Sequence, residues 1–180
     1  MRPHDLALAD DAWAACVLLH PHPDMGGDRH NNVVSALYDA LPAAGVSALR
    51  FDFSSSSFDT ASAETEEALE LVAGTMPTYV AGYSFGGGVA ALVDAAPVAG
   101  WALVAPALSM VTPAIGADAR PKLVIGAEHD QFFDPARLAD ATAGWILTEH
   151  EVVTATDHFF GGRTDVIVDH VLAWLGRVAR

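Results

Sequence analysis

The chain has 180 residues, of which 23 are acidic and 9 are basic, and its formal net charge at pH 7 is −14. This length suits one domain spanning residues 1–180, and a hydrophobic content of 52% excludes a disordered chain. The negative charge argues against nucleic acids and anionic membrane surfaces as partners, because binding to either requires cationic groups that meet phosphates.

The N-terminal segment lacks the charged and then apolar layout of a signal peptide, and no apolar stretch is long enough to span a membrane. Cys16 is the only cysteine, so it has no disulfide partner within the chain. Together these features predict a cytoplasmic protein.

Apolar runs typical of strands alternate with helical patterns along almost the whole chain. In chain order, strands are predicted at 14–19, 46–51, 78–81, 101–104, 123–125 and 146–153, and helices at 31–41, 61–73, 87–96, 135–141 and 165–178. This succession predicts an α/β fold, a three-layer α/β/α sandwich with a mostly parallel central sheet. In such sheets, ligands bind beyond the carboxyl ends of the strands.

The most informative motif is the Gly-x-Ser-x-Gly sequence of residues 82–86, which lies between a predicted strand and a predicted helix. A strand that turns abruptly into a helix forces the central residue into a strained backbone conformation and presents its side chain at the sheet edge. Glycines two residues before and after it remove side chains that would otherwise collide. Ser84 is therefore predicted to be a presented nucleophile.

A serine nucleophile needs a base, and the base needs an acid that orients it. In a parallel sheet, both must lie in loops at the same edge as Ser84. Loops after the fifth and sixth predicted strands contain Asp130 and His158, so the chain order is serine, acid, histidine, as in the nucleophile-elbow fold. We predict His158 as the base and Asp130 as its partner. Three nearby acids are alternatives to Asp130: Asp134, Glu128 and, less favoured, Asp157.

Acyl transfer at a serine also needs two N–H donors aimed at the oxyanion that develops on the substrate carbonyl. The first is the backbone N–H of Phe85, which comes with the turn itself. The second is expected within residues 18–27, the loop after the first long strand, where two prolines have no N–H to give. By its position in this loop, the His22 amide is the leading candidate, and Met25 is the alternative.

These residues resemble the α/β-hydrolase superfamily over nearly the whole chain, and most closely its small lidless bacterial branch near the dienelactone hydrolases. The matching segments are 20–27, 50–53, 82–86, 126–130 and 157–160. The resemblance implies a serine hydrolase that cleaves a small carboxylic ester or thioester through an acyl-enzyme and uses no cofactor or metal. Dienelactone hydrolases proper use a cysteine where this chain has Ser84, so that particular activity is not implied.

The chain departs from this pattern in three places. Residues 54–57 are four serines where relatives have a glycine-rich loop, so the pocket wall and the specificity are expected to differ. Only about a dozen residues precede Ala14, which predicts a trimmed N-terminal hairpin, and the connection 106–121 is too short for a helical lid. Trp101 and the trimmed edge together suggest an exposed sheet border that could pair with a second copy as a homodimer.

A metal site is the sharpest alternative, because two histidines one residue apart end a predicted strand and other ligand types follow closely. The residues concerned are His20, His22, Asp24, Asp28 and His30. The barrel that usually carries such a pair needs about 250 residues, which is more than this chain has. The other alternative is a non-catalytic binding protein with the same fold, which would be expected to have a defective triad.

Overall fold

The computed structural model of the chain describes residues 3–72, 74 and 76–179. Seven strands lie within these ranges: β1 His4–Ala7, β2 Ala14–Leu19, β3 Val46–Phe51, β4 Thr78–Tyr83, β5 Val98–Val104, β6 Lys122–Ala127 and β7 Thr148–Val153. The same ranges contain five α-helices: α1 Asn32–Ala40, α2 Phe58–Val72, α3 Phe85–Ala90, α4 Pro135–Thr142 and α5 Thr164–Val178.

The strands form a single sheet in the order β1-β3-β2-β4-β5-β6-β7. Strand β1 is antiparallel to β3, and every other neighbouring pair is parallel. After β2 the chain adds β3 on one side and then returns to add β4 on the other, so the strand order reverses between β2 and β4. A crevice opens at such a reversal, beyond the carboxyl ends of the two strands.

Helices cover both faces of the sheet, as the alternation of strands and helices predicted. Successive side chains of β2 and β4 point to opposite faces and are buried on both. Helices α1 and α5 pack on one face through residues such as Leu37 and Trp174. Helices α2 and α3 pack on the other face through residues such as Leu69 and Val89. The predicted three-layer α/β/α architecture is confirmed.

Several element boundaries differ from the sequence prediction. Helix α3 begins at the turn itself and ends at Ala90 instead of residue 96, since the carbonyl of Ala91 accepts a hydrogen bond from the N–H of Ala114 in a distant loop. Helix α2 begins earlier, at Phe58, and its predicted end at Ala73 lies outside the described residues.

The N-terminal hairpin was predicted to be trimmed, and in the structure this edge of the sheet is a single strand, β1, which runs antiparallel to β3. The prediction that Trp101 marks an exposed border is wrong. It lies in the interior strand β5, is fully buried, and donates its indole N–H to the carbonyl of Val93 at 2.9 Å.

The connection between β5 and β6 contains one short 3₁₀ turn, Leu108–Met110, and no α-helix within its described residues. The absence of a helical lid at this place agrees with the prediction. None of the helices in the described ranges combines the length and the apolar character needed to cross a membrane.

Lys122, the only lysine of the chain, is fully buried at the start of β6. Its Nζ donates to three backbone carbonyls, those of Asp118 at 2.6 Å, Arg120 at 2.8 Å and Ile146 at 3.0 Å. Burial lowers the pKa of the ammonium group below its ordinary value. This lysine therefore ties two loop segments together at the end of the sheet opposite the crevice.

Candidate active site

Ser84 occupies the turn between β4 and α3 with a strained backbone, φ 55° and ψ −114°. The glycines on either side are required by close contacts. A Cβ at Gly82 would lie 2.2 Å from the carbonyl oxygen of Gly86, and one at Gly86 would lie 2.5 Å from that of Leu19. The strained strand-to-helix turn predicted from the motif is therefore present, and it places Ser84 at the crevice between β2 and β4.

Ser84, His158 and Asp130 form one line of hydrogen bonds. The Ser84 Oγ lies 3.0 Å from Nε2 of His158, and Nδ1 of the same ring lies 2.8 Å from Oδ2 of Asp130. Because the ionised carboxylate can only accept, Nδ1 carries the proton and Nε2 is free to accept from the serine hydroxyl. The three side chains come from the loops after β4, β6 and β7 at one edge of the sheet.

The second oxygen of Asp130 is also occupied. Its Oδ1 accepts the backbone N–H groups of Phe132 and Phe133, each at 2.8 Å. Burial alone would raise the pKa of this carboxyl, but the hydrogen bonds from His158 and from the two amides outweigh it, so the pKa lies below its ordinary value. Asp130 is therefore ionised at neutral pH and held in a fixed orientation.

The other candidate acids have different partners. Glu128 accepts the backbone N–H of Ala155 at 2.7 Å. Asp134 caps the N-terminus of α4, and Asp157 accepts the N–H of Phe159 at 3.0 Å. Of the four candidate acids, all of them described residues, only Asp130 forms a hydrogen bond with the His158 ring.

Tyr83 fixes the backbone of His158, a contact that sequence reasoning missed. Its hydroxyl donates to the His158 carbonyl at 2.8 Å in a buried setting, which raises the pKa of the phenol. On the other side, the backbone N–H of His158 donates to Oε1 of Gln131 at 3.3 Å. The rings of Phe132 and Phe133 pack against the imidazole with centroids 5.0 and 5.5 Å away. The only signal in the sequence is that residue 83 directly precedes the serine.

Two backbone N–H groups near Ser84 have no hydrogen-bond acceptor within the described part of the chain. Phe85 is the first residue of α3, where an N–H has no partner within the helix. The N–H of His22 has no acceptor among the described residues, whereas that of Met25 donates to the His22 carbonyl at 3.1 Å. Both free groups belong to residues that line the same cavity as Ser84, and their rings touch with centroids 5.1 Å apart.

His20 supports the loop that carries His22. Its Nδ1 donates to the carbonyl of Pro21 at 2.6 Å, and its Nε2 accepts the backbone N–H of Phe53 at 2.9 Å. Burial lowers the pKa of the ring, which agrees with the neutral tautomer that these two bonds require.

Three of the five residues considered as metal ligands form other hydrogen bonds, whereas Nδ1 of His22 is buried and has no partner among the described residues. Both nitrogens of His20 are in use, Asp24 accepts the hydroxyl of Ser56, and Asp28 accepts the N–H of His30. In the described part of the chain, no three histidine, cysteine or acidic side chains are grouped so that they could hold a metal ion.

Ser84 opens into a cavity of about 400 Å³ whose lining is mainly apolar. Four of the side chains that line it are large, apolar and more than half exposed: Met25, Met110, Phe132 and Phe159. No arginine or lysine is among the described lining residues. The cavity therefore suits an uncharged, apolar group next to the serine hydroxyl.

No family model and no curated protein matches the sequence. Among solved structures, a lidless α/β serine hydrolase from Xanthomonas campestris is 23% identical, with a TM-score of 0.82, over 97% of this chain and 88% of that chain. Dienelactone hydrolase from Anabaena variabilis is 15% identical, with a TM-score of 0.85, over 97% and 90%. Est1E from Butyrivibrio proteoclasticus, solved with ferulic acid bound, is 14% identical, with a TM-score of 0.80, over 99% and 96%.

These likenesses cover almost the whole chain and show that it has the α/β-hydrolase fold. They also confirm the predicted similarity to the lidless and dienelactone-hydrolase-like structures of this fold.

Proposed function

We propose that the protein is a serine hydrolase that cleaves small carboxylic esters or thioesters through an acyl-enzyme intermediate. The observation that carries this proposal is the unbroken hydrogen-bond line from Ser84 through His158 to Asp130. Ser84 also lies on a strained turn at the crevice of the sheet, which supports the same proposal.

In the first half of the reaction, the Ser84 Oγ attacks the substrate carbonyl carbon while its proton passes to Nε2 of His158. Asp130 stabilises the imidazolium that forms, because it is ionised and already bonded to Nδ1. The carbonyl oxygen becomes an oxyanion, and the free N–H groups of Phe85 and His22 are the proposed donors to it.

In the second half, the tetrahedral intermediate collapses and breaks the bond to the leaving group. His158 returns its proton to the departing alcohol or thiol, and the acyl group stays on the Ser84 Oγ. Water then attacks the acyl-enzyme, with His158 again taking the proton, and the acid product leaves with Ser84 regenerated. As the acyl–oxygen bond breaks, His158 returns this proton to the Ser84 Oγ, so His158 carries every proton that is transferred in the cycle.

The shape of the cavity sets the size of the proposed substrate. A volume of about 400 Å³ lies within the range of small-molecule sites, and its apolar lining favours a neutral acyl group. The described residues of the connection between β5 and β6 form no helical lid, and the half-exposed rings of Phe132 and Phe159 form part of the mouth of the cavity. Short or aromatic acyl groups therefore fit better than long lipid chains.

The proposal is tested with a fluorophosphonate probe and with 4-nitrophenyl butyrate. Wild-type protein should be labelled once and should turn over, and Ser84→Ala should lose both properties. Ser57→Ala is the matched control, since this exposed serine does not line the cavity. His158→Ala should remain folded but lose turnover, and EDTA should leave the rate unchanged.

Three results would contradict the proposal. Labelling that persists in Ser84→Ala places the nucleophile elsewhere. Turnover that EDTA abolishes and a stoichiometric metal restores points to metal-dependent hydrolysis instead. A wild-type protein that neither reacts with the probe nor hydrolyses any of a panel of esters and thioesters is a non-catalytic binding protein.

A further inference from the structure

A second cavity of about 180 Å³ adjoins the one at Ser84. The two cavities share Phe132 and Phe133 as lining residues. The segment 106–110 also contributes to both, since Ala107 and Met110 line the Ser84 cavity and the three other residues line the second. A molecule bound at Ser84 that extends past the exposed ring of Phe132 would enter the second cavity.

The second cavity contains a basic side chain, Arg137, in addition to apolar residues such as Leu108 and Leu138. Arg137 is exposed, and its side chain forms no ion pair or hydrogen bond with any described residue. Asp134 is the only carboxylate among the described residues that line this cavity, and it accepts the backbone N–H of Ala136 without pairing with Arg137.

Most of the described basic side chains are paired in this chain, which has 23 acidic and 9 basic residues. Five other basic side chains in the described ranges are bound to carboxylates or backbone carbonyls: Arg29, Arg50, Arg120, Lys122 and Arg177. Arg163 is also unpaired, but it lines neither cavity. Many acidic side chains are available as ion-pair partners, yet Arg137 pairs with none of the described ones. A structural ion pair therefore does not account for an arginine at this position.

The position of Arg137 in α4 is also unfavourable for the helix. It is the third residue of a helix that begins at Pro135, so its positive charge lies in the first turn. The helix dipole disfavours a cation there. A residue that is unfavourable for its own helix and forms no stabilising contact in return is expected mainly at functional positions.

We propose that the second cavity binds an anionic group, a carboxylate, of a substrate whose scissile ester lies at Ser84. This inference rests on the hydrolase function proposed above. The substrate class is an ester in which an apolar spacer separates the carbonyl under attack from a carboxylate. The spacer contacts Phe132 and Leu108, and the guanidinium of Arg137 binds the carboxylate with paired N–H donors.

The net charge of −14 makes this proposal sharply testable, because the protein as a whole repels an anionic substrate. Without a local cation, an anionic ester should be hydrolysed more slowly than its neutral counterpart. A preference for the anionic ester therefore requires a basic group close to the site.

The experiment compares the 4-nitrophenyl monoester of adipic acid with 4-nitrophenyl pentanoate. A second arm places the carboxylate on the leaving group, by comparing the butyrate esters of 4-hydroxybenzoic acid and of its methyl ester. The quantity measured is the ratio of kcat/KM, anionic over neutral, within each protein, so that a general change in activity cancels. Wild-type protein should give a ratio of about 5–10 in one of the two arms, through KM.

Arg137→Gln should bring that ratio below 1, and Arg137→Lys should restore part of it. Arg177→Gln is the control, because Arg177 is paired with Glu149 and lines neither cavity, and its ratio should equal that of the wild type. Neutral esters that are hydrolysed with no anionic preference in either arm, or a preference that survives Arg137→Gln, would overturn the inference and leave the hydrolase proposal standing. No hydrolysis of any ester would remove both.

Discussion

Replacing Asp130 by asparagine should disable hydrolysis while leaving the surrounding loop folded. The reason lies in the two oxygens of the carboxylate. Oδ1 accepts the backbone N–H groups of Phe132 and Phe133, and Oδ2 accepts Nδ1–H of His158. An asparagine has one oxygen and one NH₂ group, so it can serve only one of these two sets of donors.

The two backbone donors decide which way the amide turns. Pointing its NH₂ at them would leave two partly buried N–H groups unsatisfied, at a cost of up to about 1–3 kcal/mol each. The oxygen therefore stays on Oδ1's side, and the NH₂ faces Nδ1 of His158. The imidazole must then carry its proton on Nε2, and in that tautomer it cannot accept the proton of Ser84.

The size of the effect follows from this change of tautomer. In serine triads, an amide in place of the acid lowers kcat about 10⁴-fold, which corresponds to about 5.5 kcal/mol of lost transition-state stabilisation. The cost in folding should be smaller, about 1–2 kcal/mol, because the two backbone hydrogen bonds persist and only lose their charge assistance.

The assay is burst and steady-state hydrolysis of 4-nitrophenyl butyrate, with thermal unfolding of the same samples. Asp130→Ala serves as a comparison, since it frees the ring of His158 but leaves both amides without an acceptor, so it should unfold at a lower temperature than Asp130→Asn. Glu128→Gln controls for a carboxylate lost from the same loop. Turnover by Asp130→Asn above a tenth of the wild-type rate would refute the reasoning.

Three further predictions concern the same site. His22 has φ −55°, which proline tolerates, so His22→Pro should remove the imidazole and the proposed oxyanion donor and lower kcat about 10²–10³-fold. His22→Ala removes the imidazole but keeps the N–H, so it should lose much less, and equal effects of the two variants in kinetic assays would rule out the amide. Tyr83→Phe should lower kcat about 3–10-fold with little change in KM, because the His158 carbonyl loses one buried hydrogen bond; a change confined to KM would contradict a positioning role. The lowered pKa of Asp130 means that its ionised form stabilises the fold above about pH 4, and this contribution is lost as the pH falls through the lowered pKa. The gap in unfolding temperature between wild type and Asp130→Asn should therefore close below pH 4, and a gap that widens in acid would exclude this linkage.

The features that could be predicted from the sequence are those that depend on residues close together along the chain. Apolar strands alternating with helices gave the layered sheet, because each element must bury an apolar face on its neighbour. The glycines at 82 and 86 predicted a strained turn around Ser84, since only a residue without Cβ fits within 2.2–2.5 Å of a backbone oxygen. The roles of the site residues themselves remain predictions for the experiments above.

Features that depend on distant partners could not be predicted. Strand β1 has four residues and exists because β3, more than 40 residues later, offers it an edge. The hydroxyl of Tyr83 finds its acceptor 75 residues away, and the ring of His20 finds its donor 33 residues away. The hydrogen bond from the backbone N–H of Phe53 to His20 shows that this histidine supports a loop and is not free to bind a metal. The spacing of residues in the sequence does not reveal this bond. Trp101 was misplaced for the same reason, because strand order is a property of the whole sheet.

The burial of Lys122 has a chemical consequence for a protein proposed to handle activated acyl groups. It is the only side-chain amine in the chain, and its nitrogen is enclosed by three carbonyl oxygens. Reactive thioesters and N-hydroxysuccinimide reagents therefore meet no lysine on the surface that they could modify. Such a catalyst cannot be acylated on surface lysines by its own substrates, and attaching it to a solid support or a dye calls for chemistry directed at other groups.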